Sequence, residues 1–114
     1  MAFSEGDIIE IDAPDAVGHE QQGRRPVLMV SVNPLHTSLG LAIVCAITTH
    51  GGRAKSAANA LEVPVPAGLP VKGVVLPHQI RTIDLKSRNA EKVCTVPRAT
   101  LQATRARLKT LLGI

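Results

Sequence analysis

The chain has almost no aromatic side chains: Phe3 is the only one, and Trp and Tyr are absent. A core must therefore be assembled from Val, Ile, Leu and Ala. Stacking of bases on aromatic platforms, a common way to hold single-stranded nucleic acid, is excluded. Such a partner would have to be held by charge, hydrogen bonds and guanidinium planes. Cysteine is scarce too. Cys45 and Cys94 lie far apart, with neither CxxC nor Cys/His spacing, and read as reduced, buried thiols of a cytosolic protein. No apolar run approaches the ~20 residues that span a bilayer. The opening Met-Ala-Phe-Ser-Glu-Gly-Asp has neither a basic region nor an apolar signal core. A soluble, cytoplasmic protein with no membrane association is expected. Clusters of Asp, Glu and His at metal-ligand spacing are missing as well, so no metal and no cofactor is expected.

What is present fits a small folded domain. The 114 residues are 45% hydrophobic and 19% charged, which suits one domain over 1–114 with a modest core. Thirteen Lys and Arg against nine Asp and Glu give a net charge of +4, compatible with a polyanionic partner but weak support for one.

Ile8, Ile9 and Ile11, alternating with Glu10 and Asp12, predict a first strand after the Gly6-Asp7 turn. A second strand is expected over 27–32, broken by Asn33-Pro34. The stretch 39–48 is apolar almost throughout and predicts a third strand buried on both faces. Residues 50–59, with Gly51-Gly52, Arg53 and Lys55, read as a mobile basic loop. A short strand follows over 61–65. Residues 73–76 and 79–83 form another strand or bulged pair interrupted at Pro77. A helical turn at 86–89 and a last strand over 92–96 precede a terminal helix, whose first turn suits Pro97. There Leu101, Leu108, Leu111 and Leu112 form one apolar stripe. The fold expected is mainly β: a small antiparallel barrel of five or more strands packed by a C-terminal amphipathic helix.

The most informative segment is 18–31, Gly-His-Glu-Gln-Gln-Gly-Arg-Arg-Pro-Val-Leu-Met-Val-Ser. Its polar first half buries no apolar surface, yet it opens directly into a strand. It brings an imidazole (His19), a carboxylate (Glu20) and guanidinium groups (Arg24, Arg25) to the mouth of a rigid element. That combination suits phosphate chemistry.

These residues resemble the MazF/PemK family (with Kid and ChpB), toxins of type II toxin–antitoxin systems. The anchors are Gly6-Asp7-Ile8, the segment from Gly18 to Leu28, Ala46-Ile47-Thr48, Gly73-Val74-Val75-Leu76, Gln79-Ile80-Arg81-Thr82-Ile83-Asp84, and the closing Leu101, Leu108, Leu111-Leu112-Gly113. The resemblance implies an SH3-like barrel, a homodimer, and metal-independent cleavage of single-stranded RNA at short sequence motifs. It also implies a cognate MazE/PemI-like antitoxin, which blocks the RNA groove with an acidic or apolar tail. The family's motif Arg falls on Arg25, its strand-end Thr on Thr48, its acidic position on Glu20, and a position that some members fill with His on His19. Several positions depart from the pattern: Ile9, Leu35-His36, Ala46 and His78. One branch uses an Arg and an Asp where this chain has Leu76 and His78, so that catalytic scheme does not carry over, whereas the Arg/Thr scheme does.

RNA carries its own nucleophile, the 2′-OH, beside each scissile phosphate. A protein need only assist deprotonation, neutralise charge on the phosphoryl oxygens and help the 5′-oxygen leave. Arg25 is expected to clamp the phosphate rather than donate a proton, since a guanidinium meets two oxygens at once and stays protonated. Thr48 would donate its hydroxyl to the same phosphate. The base is either His19 or Glu20; Glu20 is alternatively the ion-pair partner that orients Arg25. Gln22, Arg24, Thr49, Arg53, Lys55, His78 and Gln79 are the expected RNA contacts. Plainer roles exist for each: an Arg25–Glu20 pair that only stiffens the loop, an Arg81–Asp84 pair that orders the barrel, solvated basic loops. A non-catalytic toxin on the same barrel, gripping a protein such as gyrase through its C-terminal Leu-Gly-Ile end, is the competing function.

Overall fold

The structure of the chain, a computed structural model, describes residues 2–13, 23–49 and 61–114. Six strands and two helices follow one another: β1 (Asp7–Asp12), β2 (Arg24–Met29), α1 (Asn33–Leu39), β3 (Leu41–Thr48), β4 (Val63–Pro64), β5 (Val74–Asp84), β6 (Glu91–Thr95) and α2 (Arg98–Leu112). The strands form one sheet in the order β4-β5-β3-β2-β1-β6, with every pairing antiparallel. This mainly β architecture, closed by a terminal helix, is the one expected.

Alternation along the strands sorts side chains into two clusters, one on each face. Ile8, Leu28, Cys45, Ile47 and Val75 gather on one face with Leu101 and Leu108 of α2. Ile9, Ile11, Val27, Met29, Ala42, Val44 and Ile83 gather on the other, where Leu85, Ala90 and Phe3 join them. The central strand β3 thus feeds both clusters, which is why its sequence is apolar almost without a break. Each fully buried Ile or Leu contributes about 1.5–3 kcal/mol, so a core without Trp or Tyr is still adequate. Both thiols are free, but only Cys45 is buried; Cys94, expected to be buried too, is half-buried on β6. Burial pushes the Cys45 thiol up to about 12, which makes it inert.

Several elements differ from expectation. The second strand lies earlier, over Arg24–Met29, and Asn33-Pro34 opens a helix instead of merely ending a strand. Pro in the first turn and Gly40 in the left-handed region after the last turn bracket seven helical residues. So short a helix leaves no readable periodicity. Helix α2 buries Thr100, Leu101, Thr104 and Leu108; the Thr104 hydroxyl donates back to the Thr100 carbonyl at 3.0 Å. Leu111 and Leu112, expected in the same stripe, are 41% and 60% exposed, because no other described element of the single chain packs over the last turn. Arg105 ties α2 to the sheet: Nη2 donates to the Val30 carbonyl at 2.8 Å and pairs with Glu5 at 2.7 Å. No helix among the described residues is long and apolar enough to cross a membrane.

Candidate phosphate-binding site

The sheet register brings the two leading candidates together. In the β2–β3 ladder Val27 faces Ala46, Leu28 faces Cys45 and Met29 faces Val44. Carried two residues further along both strands, the same register sets Arg25 opposite Thr48. Directly opposed residues of an antiparallel pair share a face. Arg25 and Thr48 therefore continue the row begun by Val27 and Ala46, on the face opposite α2. Arg25 is exposed and Thr48 half-buried.

Thr48 is held from behind by backbone. Gly73, at φ +139°, lies against the Thr48 carbonyl; a Cβ at that position would also sit 2.9 Å from the Thr48 carbonyl carbon and 3.0 Å from the Thr49 Cα. Only glycine fits there. Thr48 in turn pairs with Val74, the first residue of β5. Thr49 follows, exposed, at the end of the strand.

Arg24, one residue before Arg25, faces the other way, as the strand's alternation requires. It sits across from Asp12 in the β1–β2 ladder. Its Nη1 pairs with Asp12 at 2.9 Å, and its Nη2 pairs with Glu91 at 3.0 Å and donates to the Glu10 carbonyl at 3.1 Å. Any RNA contact by Arg24 would compete with these partners. Asp12 also accepts from the Asn89 side chain at 2.7 Å, while Arg88 donates to the Asp12 carbonyl at 3.0 Å. The Asn89 hydrogen bond first, and the Arg24 hydrogen bond second, hold the Asp12 carboxyl below its ordinary range; the Asp12 hydrogen bond reciprocally raises the Arg24 guanidinium. Both ends of the segment between β1 and β2 are thereby fastened at Asp12 and Arg24. Asp12 and Asn89 were given no site role from the sequence, and Gly73 only a place in a family anchor. The first two gave no signal beyond a strand end and a turn, whereas Gly73 stands in a Gly-Val-Val run whose close approach to Thr48 is visible only in three dimensions.

His78 and Gln79 lie at an irregularity in β5. Cys45 pairs with Ile80 and the next residue, Ala46, with Leu76, so Pro77, His78 and Gln79 are looped out of the ladder. The interruption expected at Pro77 is this bulge. Pro77 is fully buried, whereas His78 and Gln79 are exposed. His36 lies elsewhere: it is 6% exposed, with Nε2 2.7 Å from the Ser31 hydroxyl, which also accepts from the Ile43 amide at 2.9 Å. Burial lowers the His36 imidazole from its ordinary value, against the opposing pull of the Phe3 backbone, Glu5 and Asp7. His19, Glu20, Gln22, Arg53 and Lys55 lie outside the described residues. Among the described residues, no three His, Cys, Asp or Glu side chains are grouped to hold a metal ion. A groove lined by Phe3, His36, Leu39, Asp84 and Lys86 contains none of the expected site residues.

Comparison with known proteins identifies the family. Residues 4–112 match the family model described as PemK-like, MazF-like toxin of type II toxin-antitoxin system. The chain is 35% identical over 107 residues to Endoribonuclease PemK of Escherichia coli, covering 94% of this chain and 80% of that protein. It superposes on the crystal structure of MazF (Form-I) from Deinococcus radiodurans with a TM-score of 0.83 at 36% identity, covering 100% of this chain and 99% of that one. The MazF chain of a MazE-MazF complex (Form-II) from the same organism gives 0.83 at 34% identity, with 97% and 96% covered. The chain belongs to the PemK/MazF family of type II toxin–antitoxin toxins.

Proposed function

We propose that the protein is a metal-independent endoribonuclease toxin that cuts single-stranded RNA at a short sequence motif, so inhibiting translation and growth. The 2′-OH attacks the adjacent phosphorus, the bond to the 5′-oxygen breaks, and the products carry a 2′,3′-cyclic phosphate and a 5′-hydroxyl. Arg25 clamps the phosphoryl oxygens as charge builds, and Thr48 donates a hydrogen bond to the same group. Preorganised donors of this kind are typically worth about 3 kcal/mol each in the transition state. His19 or Glu20 takes the 2′-OH proton. Thr49, Gln79, Gln22, Arg53 and Lys55 contact the flanking nucleotides, while Arg24 braces the loop base through Asp12.

The observation that carries this proposal is the β2–β3 register, whose continuation past Val27–Ala46 sets Arg25 across from Thr48, in a chain related to a protein named an endoribonuclease. The exposed apolar end of α2, with Leu112 60% and Ile114 80% exposed, supports a homodimer in which a second copy covers it. A related MazF is known in complex with MazE, which supports a cognate antitoxin for this chain. Such an antitoxin would set an acidic segment against Arg25. Purified protein incubated with RNA in EDTA should yield 5′-hydroxyl ends, and a deoxynucleotide on the 5′ side of the cut should abolish cleavage. A requirement for Mg²⁺, or cleavage of the deoxy substrate, would overturn the mechanism.

A further inference from the structure

A phosphoryl transfer of this kind moves two protons, one off the 2′-oxygen and one onto the departing 5′-oxygen. Arg25 and Thr48 stabilise charge, but neither gives up a proton readily near neutral pH. The β5 bulge holds an imidazole, that of His78. The looped-out residues lie beside Cys45 and Ala46, and Ala46 precedes Thr48 by two residues on the same face. At about 3.4 Å per strand residue and about 4.8 Å between strands, Leu76, where the bulge begins, lies roughly 8 Å from Thr48, backbone to backbone, and His78 follows two residues later. Bulges commonly re-aim a side chain beside a reacting centre. Here the buried, ring-locked Pro77 fixes the start of the loop, and the imidazole that follows is exposed. The other described histidine, His36, is buried and bound to Ser31. Imidazole is the side chain best suited to proton transfer at physiological pH.

We infer that His78, presented by the Pro77–Gln79 bulge, is the general acid that protonates the 5′-oxygen as it leaves the phosphorus; the inference rests on the ribonuclease reading above. In that step the 2′-oxygen–phosphorus bond forms and the phosphorus–5′-oxygen bond breaks. The 2′-OH proton passes to the base, and the imidazolium proton passes to the leaving oxygen. Neutral His78 is then reprotonated from water.

The test maps the cleavage site on long RNA, then compares an RNA oligonucleotide carrying that site with one whose scissile 5′-bridging oxygen is replaced by sulfur, since a thiolate leaves without being protonated. Wild-type protein should cut both. His78→Ala should be slowed about 10²-fold or more on the oxygen substrate, the usual scale for losing an acid, mainly in kcat. On the sulfur substrate it should recover to within about threefold of wild type. A merely structural or RNA-contacting role would slow both substrates equally, and that result, or an unimpaired His78→Ala on the oxygen substrate, would overturn the inference. Wild-type protein that cuts neither substrate would instead overturn the ribonuclease reading itself.

Discussion

Arg24 and Arg25 are successive residues of one strand, and the two surfaces they serve could hardly differ more. On one side Arg24 joins β1, β2 and β6 through Asp12, Glu10 and Glu91, with its side chain 28% exposed. On the other, Arg25 stands exposed in the row that ends at Thr48. The same guanidinium chemistry makes a structural brace of Arg24, where carboxylates surround it, and is proposed to make a phosphate clamp of Arg25. Strand alternation sorts the pair: a shift of one residue in the β1–β2 register would exchange their environments. Among the described residues, acidic partners hold Arg24 and none pairs with Arg25, which is what singles out Arg25 as the candidate ligand contact.

Substitutions can break that comparison. Arg25→Ala should reduce RNA cleavage about 10³-fold, in line with loss of a main charge stabiliser, while thermal unfolding stays within about 0.5 kcal/mol of wild type, as for other exposed positions. An equally large loss of stability would place Arg25 with Arg24 among the braces. Thr48→Val keeps the β-branched shape and removes only the hydroxyl donor, so cleavage should fall about 10²-fold with the fold retained; steady-state kinetics beside a melting curve separates the two effects. Arg24→Ala reverses the pattern. It leaves Asp12 and Glu91 without their cation and should cost about 1 kcal/mol of stability, read by urea denaturation, with a smaller effect on rate than Arg25→Ala. A rate loss matching that of Arg25→Ala would erase the distinction between the two faces.

The smallest effect concerns His36, a polar group buried outright. Its burial lowers the imidazole below the ordinary value near ~6.5, so between that value and the lowered one the unfolded chain binds a proton that the folded chain refuses. Stability is then complete above about pH 6.5 and falls as the pH drops below it, by at most about 1.4 kcal/mol per pH unit. Melting temperatures between pH 7.5 and pH 5 should decline, and His36→Gln should flatten that decline. An unchanged slope would remove His36 from the acid sensitivity of the fold.

The sequence made much of this visible. Ile8, Ile9 and Ile11, the unbroken apolar run of β3 and the Leu101/Leu108 spacing announced a β sheet with a helix against it. Arg25 and Thr48 were proposed from a long motif and a strand end, and the continued β2–β3 register sets them in one row. What escaped depended on contacts between distant segments. The helix at Asn33–Leu39 is too short to show a period and owes its ends to Pro34 and Gly40. The Asp12–Arg24–Asn89 anchor joins positions far apart in sequence, and its members look like ordinary strand-end and turn residues. The exposure of Leu111 and Leu112 follows from what α2 packs against, which heptad-like spacing alone does not disclose.

A double-mutant cycle puts the shared phosphate to the test most directly. If Arg25 and Thr48 act on one phosphodiester, Arg25→Ala combined with Thr48→Val should slow cleavage by only about 10³–10⁴-fold, since each substitution already forfeits part of what the other supplies. A combined loss near 10⁵-fold, the full product of the two single effects, would mean that the two side chains work independently and do not converge on one anion.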